Sequence, residues 1–352
     1  MPLNRCQSNN KPGWKWGGAG KCFIGNNARQ MAVAQGRAIK ASQPRNDAAE
    51  DRQRLTRQRI EMFKSVGVRL PSGRKKPPKQ RGTIALEIDY FKEIMQLLGP
   101  VFEIVREVLI PSLPDIVAKH KQEIRLDQSF GEDLTKNFGD IQVQVGQIVT
   151  ENRIIETAAN AGIKTSNVQR QQLIKQFQSV LGINPLLNEP YLQAQLAGFT
   201  EANVALIKTI PTQSLQRLET SLRIQIEQGV STQEITKTIS SEFDIARNRA
   251  KLIARDQIGK FYGSLNGLRQ QETGITHYFW QTSEDERVRP ASGLKLKSAL
   301  AVVSHRRLNK KRFAWNKPPV SGTRGEKLPP GQPISCRCQA LPDFSPFLFG
   351  LG

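Results

Sequence analysis

From residue 84 onward the apolar side chains of this chain recur at intervals of three and four. Leu86, Phe91, Ile94, Leu97, Leu98, Val101, Phe102, Val105, Leu109, Ile116 and Val117 keep that spacing, which winds one apolar stripe along a helix and does not fit the period of two of a half-buried strand. Breaks are expected near Pro100 and between Pro111 and Pro114, because proline lacks the helical N–H and its ring meets the preceding turn. A Gln- and Asn-rich helical stretch over roughly 133–199 follows. Thr200 is expected to cap a helix ending at Ile210, and Pro211 to open another ending near Gly229. Ser231 and Glu234 predict a capping box for a short helix reaching about Phe243. The longest helix is expected over about 246–272, with Ala250, Ile253, Ala254, Ile258, Phe261, Leu265 and Leu268 as its stripe and Gly274 as its stop. Residues 82–275 therefore read as an all-α unit whose apolar faces bury against one another or against another subunit.

The flanks differ in kind. Residues 1–81 show almost no apolar periodicity before Ala48. Their opening piece, from Cys6 through KPGWKWGGAGK to Cys22, reads as a compact loop or a flexible arm, and 47–63 as a polar, Arg-rich exposed helix. A basic Pro/Gly linker, 71–82, closes the segment. Beyond Gly274 the chain turns to short strands, HYFWQTS at 277–283 and KRFAW at 311–315, and to a long irregular loop over 317–333. A unit of that size has too small a core to stand comfortably alone and calls for a staple. The expected fold is mainly α: a helical body, a small C-terminal α+β or irregular unit, and a disordered or extended basic N-terminal arm. The boundaries fall at 1–82 for arm and linker, 83–160 and 161–275 for the helical segments, 276–345 for the strand and loop unit, and 346–352 for a tail.

Charge follows the same divisions. The 352 residues carry 52 Lys+Arg against 31 Asp+Glu, a net +21. Residues 1–81 account for +15, residues 82–275 for −2 and residues 276–352 for +8. Two basic ends around a neutral middle suggest a polyanion partner, with nucleic acid first; a basic tail that only aids solubility is the plainer alternative. Lys11, Lys15, Lys21, Arg74, Lys75, Lys76, Lys79 and Arg81 are the candidate DNA-contacting cations. Trp14 and Trp16 among Lys11, Lys15 and Lys21 suit stacking on nucleic acid, or an anchor in a partner's groove, or neither. No run approaches the ~18 apolar residues of a membrane span, and the first residues lack the apolar core of a signal peptide, so that route of secretion is not expected. Of the four cysteines, Cys6 and Cys22 lie near the start and Cys336 and Cys338 near the end. Without an export signal, reduced thiols or metal ligands are expected rather than disulfides.

The last third holds a linked series. Ile253, Ala254, Arg255, Asp256 and Gln257 lead to Gly274, then Trp280 and Thr282, then Asp285, Arg287, Val288 and Arg289. His305, Phe313 with Trp315, Pro330 with Gly331, and Cys336, Arg337 and Cys338 complete it. This order resembles the phage head-morphogenesis, Mu F-like family of minor head proteins, over roughly residues 150–345 and most strongly from 250. The resemblance implies a structural virion protein rather than an enzyme, low in copy, associated with the portal and other head proteins. It further implies a role in head assembly and in keeping or releasing packaged DNA. The expected locations are the head near the portal and, during assembly, the host cytoplasm, with no membrane partner. One departure from the family pattern is an apparent insertion of residues 291–304 before His305, which either re-presents that histidine or displaces it; closing so long a loop costs little.

Asp285, His305, Cys336 and Cys338 make a candidate tetrahedral Zn²⁺ set, with His277 in reserve, and a structural staple is the expected role. The plain alternative is two packing cysteines, an exposed His305 and an Asp285 paired with Arg287 or Arg289. C-x-C sets both sulfurs on one side of an extended segment, which suits chelation better than a mutual disulfide. Arg255 and Asp256 are expected either to dock the long helix onto the small unit, through Arg287 or Arg289, or to form a solvated pair. Together with Trp280, Arg287, Arg289, Trp315 and Arg337 they form the structural motif. A metal-dependent nuclease or toxin-type enzyme is the alternative function. The chain has no paired-carboxylate motif, no H-E-x-x-H and no phosphate-binding Gly loop, and its histidines, His120, His277 and His305, are scattered. A sequence-specific regulator is disfavoured by the lack of helix-turn-helix or zinc-finger spacing.

Overall fold

A computed structural model describes residues 3–8, 11–16, 22–25, 28–29, 32, 50–58, 60–62, 77–80, 82–126, 132–186, 188–283, 294–295 and 302–348. The chain is mainly α, with small sheets near its two ends. Strands β1 (Leu3–Ser8), β2 (Lys11–Trp16) and β3 (Phe23–Ile24) form an antiparallel meander. Helix α1 covers 50–58 and 60–62. The body consists of α2 (Ile84–Leu126), α3 (Glu132–Ile148), α4 (Glu151–Leu181), α5 (Leu192–Glu227) and α6 (Thr232–Glu272). The C-terminal unit follows as β4 (His277–Gln281), β5 (Leu294–Lys295), β6 (Val302–Val303), α7 (His305–Leu308), β7 (Arg312–Ala314), β8 (Gln339–Pro342) and α8 (Ser345–Leu348).

Three expected helix breaks do not occur. Pro100, Pro111 and Pro114 lie inside α2, and Pro211 lies inside α5, where Thr200 bonds back to the Leu196 carbonyl instead of capping. The helices expected over 231–243 and 246–272 are one continuous α6. Each interior proline costs about 3 kcal/mol, whereas each buried Leu, Ile or Phe returns about 1.5–3 kcal/mol. In α2 alone, Leu97, Leu98, Val101, Phe102, Val105, Leu109, Leu113 and Ile116 are all buried in the shared core, so packing outweighs the local preference. The caps that do form are orthodox. Ser231 Oγ accepts the Glu234 N–H, Gly182 ends α4 at φ 71°, and Gly274, at φ 85°, closes α6 as expected.

The N-terminal segment departs from its expected character in two ways. Cys6 and Cys22 form a disulfide, which corrects the expectation of reduced thiols there: the meander brings β1 and β3 round β2 until the two Cα atoms lie 5.9 Å apart, within bridging range. Helix α1 is not wholly exposed, because its Thr56 and Ile60 faces are buried. Thr56 Oγ1 donates to the Thr273 carbonyl at 3.0 Å, Arg57 to the Pro346 carbonyl at 2.9 Å, and Ile60 packs with Leu173, Phe177, Phe344 and Phe347. A Cβ on Gly274 would stand 2.8 Å from the Gln53 backbone nitrogen, so the stop glycine also admits α1.

Gln80, at the end of the linker, is buried in a polar network. It donates to Gln176 at 3.1 Å and exchanges bonds with Asn266 at 3.3 Å, while Asn266 and Gln270 both donate to the Ala340 carbonyl. Next to it the fully buried Arg269 is held by Ser166, Gln169 and Glu189. Buried polar groups bonded across elements in this way favour one arrangement of α4, α6 and β8, though Gln270 Oε1 takes no hydrogen bond from the described residues.

Candidate functional site

Helix α6 presents Gly259, Gly263 and Gly267 at intervals of four to the C-terminal unit. A Cβ on each would meet the Cys336 carbonyl at 3.0 Å, the Pro330 carbonyl at 2.8 Å and the Trp315 ring at 3.0 Å, respectively. The smooth face lets the 330–338 segment lie directly on the helix. Polar clamps fix it there: Arg255 Nη2 donates to the Ser335 carbonyl and Asp256 Oδ1 accepts the Ser335 N–H, both at 2.9 Å. Ser335 adopts φ 53°, a left-handed conformation that L side chains hold at a cost of about 1–3 kcal/mol unless their surroundings fix it. Asp256 also pairs with Lys260, and Gln332 donates to Ser264 and to the Lys260 carbonyl. Arg255 and Asp256 thus meet the backbone of the C-x-C approach; Arg287 and Arg289, their expected partners, lie outside the described residues.

Arg337 points the other way, to α2. Its Nε lies 2.9 and 3.0 Å from the two carboxylate oxygens of Glu87, and both side chains are nearly buried. Thr83 Oγ1 donates to the same carboxylate at 2.5 Å. A cavity of about 250 Å³ opens beside this pair, lined by Ile88, Phe91, Lys251, Leu252 and Arg255 among others. Trp280 is fully buried in β4, and Trp315 is half-buried with its ring 4.4 Å from that of Tyr278. The sheet order is β7-β4-β8.

His305, Cys336 and Cys338 converge, all three buried, with their donor atoms within 4.8 Å of one another. His305 opens α7 after the Ser304 cap. Ahead of it, Leu294–Lys295 (β5) pairs with Val302–Val303 (β6), and His305 stands beside both cysteines, re-presented rather than displaced. Nδ1 lies 3.5 Å from each sulfur, and Nε2 lies 3.0 Å from the Ser321 carbonyl. Neither thiol is in a disulfide. Cys336 is pulled well below the ordinary thiol range by a hydrogen bond from Cys338, against its own burial, with His305 adding to the pull. Cys338 is pushed up by the same contact with Cys336 and by burial. His277 is not in this cluster: its Nδ1 lies 3.0 Å from Thr276 Oγ1. Asp285 lies outside the described residues.

At the basic end, Lys15 is half-buried on β2 and Lys79 is exposed, and Lys11 belongs to β2. Lys21, Arg74, Lys75, Lys76 and Arg81 lie outside the described residues. The guanidinium carbons of Arg5 and Arg29 stand 5.5 and 5.6 Å from the centre of the Trp14 ring, so cations already engage this aromatic face. The charge around Trp14 therefore extends to Arg5 and Arg29, neither of which the spacing of the lysines singles out. The glycine face of α6 was likewise legible only as three glycines four residues apart.

A helical body carrying a small strand unit clamped to one glycine-faced helix is the class of protein these elements define. Residues 216–341 match the family described as Phage Mu protein F like protein, so the resemblance carried by the C-terminal motifs holds across that segment, from within α5 to β8. An uncharacterized protein of Haemophilus influenzae is 29% identical over 157 residues, which is 45% of this chain and 31% of that protein. The chain thus spans under a third of the length of that relative. No solved structure matches it. Among the described residues, no helix is long and apolar enough to cross a membrane.

Proposed function

We propose that the protein is a minor head protein of a tailed phage, portal-associated, acting in head morphogenesis and in retention or delivery of packaged DNA. The observation that carries this reading is the Mu F-like match over 216–341. Its role is structural, with the portal and other head proteins as partners. It assembles in the host cytoplasm and then resides in the head near the portal. The charge partition supports this: a near-neutral body, with Ile224, Ile245 and Leu252 exposed within the matched segment, suits docking on protein, and the basic ends suit DNA phosphates.

If the ends neutralise about six phosphates, log K for duplex DNA falls with log salt at a slope of about −5, without base preference. A slope near zero on the full chain refutes the DNA contact. Fractionated virions in which the protein is absent from heads, or cross-links that place 84–272 away from the portal, refute the head assignment.

A further inference from the structure

We propose that His305, Cys336 and Cys338 bind one Zn²⁺ that latches the C-terminal unit onto α6. The inference is independent of the head-protein reading and rests on the geometry of three buried side chains. A tetrahedral Zn²⁺ with Zn–S of about 2.3 Å and Zn–N of about 2.0–2.1 Å separates its nitrogen and sulfur ligands by about 3.6 Å. Both Nδ1–Sγ distances are 3.5 Å. One imidazole lone pair therefore stands at ligand-edge distance from two sulfurs at once.

The histidine tautomer is fixed for that role. The Ser321 carbonyl can only accept, so Nε2 carries the proton that it donates at 3.0 Å, and the Nδ1 lone pair faces the sulfurs. Backbone N–H groups serve the sulfurs as well: Cys338 N–H donates to Cys336 Sγ at 3.4 Å, and the backbone of Gly331 and of Ser283 donates to Cys336 and Cys338, respectively. Such donors stabilise thiolate charge in a buried pocket. Two thiolates and an imidazole are donors that zinc favours, and they fill three of its four tetrahedral positions, leaving the last to water or a further side chain. As each Zn–S bond forms, a thiol that is still protonated releases its proton to the buffer, so binding strengthens as pH rises.

The position of the site gives the ion its function. His305 enters after the 291–304 excursion, whereas Cys336 and Cys338 flank Arg337, which reaches Glu87 on α2, and follow Ser335, which is clamped by Arg255 and Asp256. A metal joining the two arms fixes the register of 335–338 and with it both of those links.

The test uses the full chain, purified with reductant, loaded with Zn²⁺ and freed of excess by gel filtration. Metal analysis is expected to return about one zinc per chain, and Co²⁺ in its place to show thiolate-to-metal charge transfer with the strong visible bands of a tetrahedral site. Zinc is expected to shield Cys336 and Cys338 from alkylation, as mapped by mass spectrometry, and a chelator to expose both while the far-UV helical signal persists. His305→Ala and Cys338→Ser are expected to lose the ion. The shielding measurement needs no variant, so it decides the matter even if those chains misfold. A folded wild-type chain without zinc, cysteines alkylated equally with and without zinc, or copper or iron held in preference to zinc overturns the proposal.

Discussion

Replacing Gly263 by alanine sets two effects against each other whose sizes follow from the structure. Alanine in a helix interior is worth about 0.5–1 kcal/mol over glycine. Here the added methyl would stand 2.8 Å from the Pro330 carbonyl oxygen and 3.3 Å from Gly331 Cα. Both are backbone atoms, in a segment held by Ser335 and Gln332, and cannot swing aside. Overpacking of this kind costs about 1–3 kcal/mol, so Gly263→Ala is expected to weaken docking of the C-terminal unit by a net ~1–2 kcal/mol. Gly146→Ala in α3, where the same methyl meets nothing within 4 Å, is expected to stabilise instead. Because the chain has several units, a single melting curve mixes them. Amide hydrogen exchange of β4 and β8 reads the docking locally. Gly263→Ala should accelerate exchange there by about tenfold, with Gly146→Ala leaving it unchanged. Exchange in Gly263→Ala as slow as in the native chain would refute the idea that the 330–338 segment lies against a bare helix face.

Arg337→Ala leaves the Glu87 carboxylate almost buried without its counter-charge, and a loss of about 3–5 kcal/mol is expected; replacing both residues with apolar ones of similar volume should recover most of it in denaturant melts. Burial alone would raise the pKa of Asp343, but hydrogen bonds from Ser345 and the Arg312 guanidinium outweigh it and hold the carboxyl below its ordinary range. The depressed folded-state value means that its stabilisation is full above the unfolded carboxyl pKa and is lost as pH falls through the folded one. Acid titration of β8 protection should therefore lose that component in Asp343→Asn, which removes the charge and keeps the shape.

The helical body was legible wherever one stripe ran unbroken, and Ser231, Gly229 and Gly274 marked real ends. Local rules failed at Pro100, Pro111, Pro114 and Pro211, where a residue that breaks isolated helices sits beside side chains buried by distant ones. The strands at 277–281 and 312–314 were visible in their aromatic, β-favouring composition. The convergence of His305 on Cys336 and Cys338 was suggested by residue type, yet the path by which 291–304 returns could not be read from it. Partners made of backbone were hidden altogether: Arg255 and Asp256 hold the peptide groups of Ser335, and no side-chain chemistry announces a carbonyl. The Cys6–Cys22 pairing was not legible, because two cysteines 16 residues apart do not announce the three-stranded meander that brings them together.

The attachment of α1 at Thr273 and Pro346 turns the N-terminal basic sheet into a tethered object with a definite radius. Between Ile24 and Glu50 the covalent chain can extend by no more than roughly 90 Å. Whatever polyanion the cations of that sheet touch must therefore pass within that distance of the C-terminal end of α6. Under the DNA-contact proposal, phosphates beyond that distance lie out of reach of these cations.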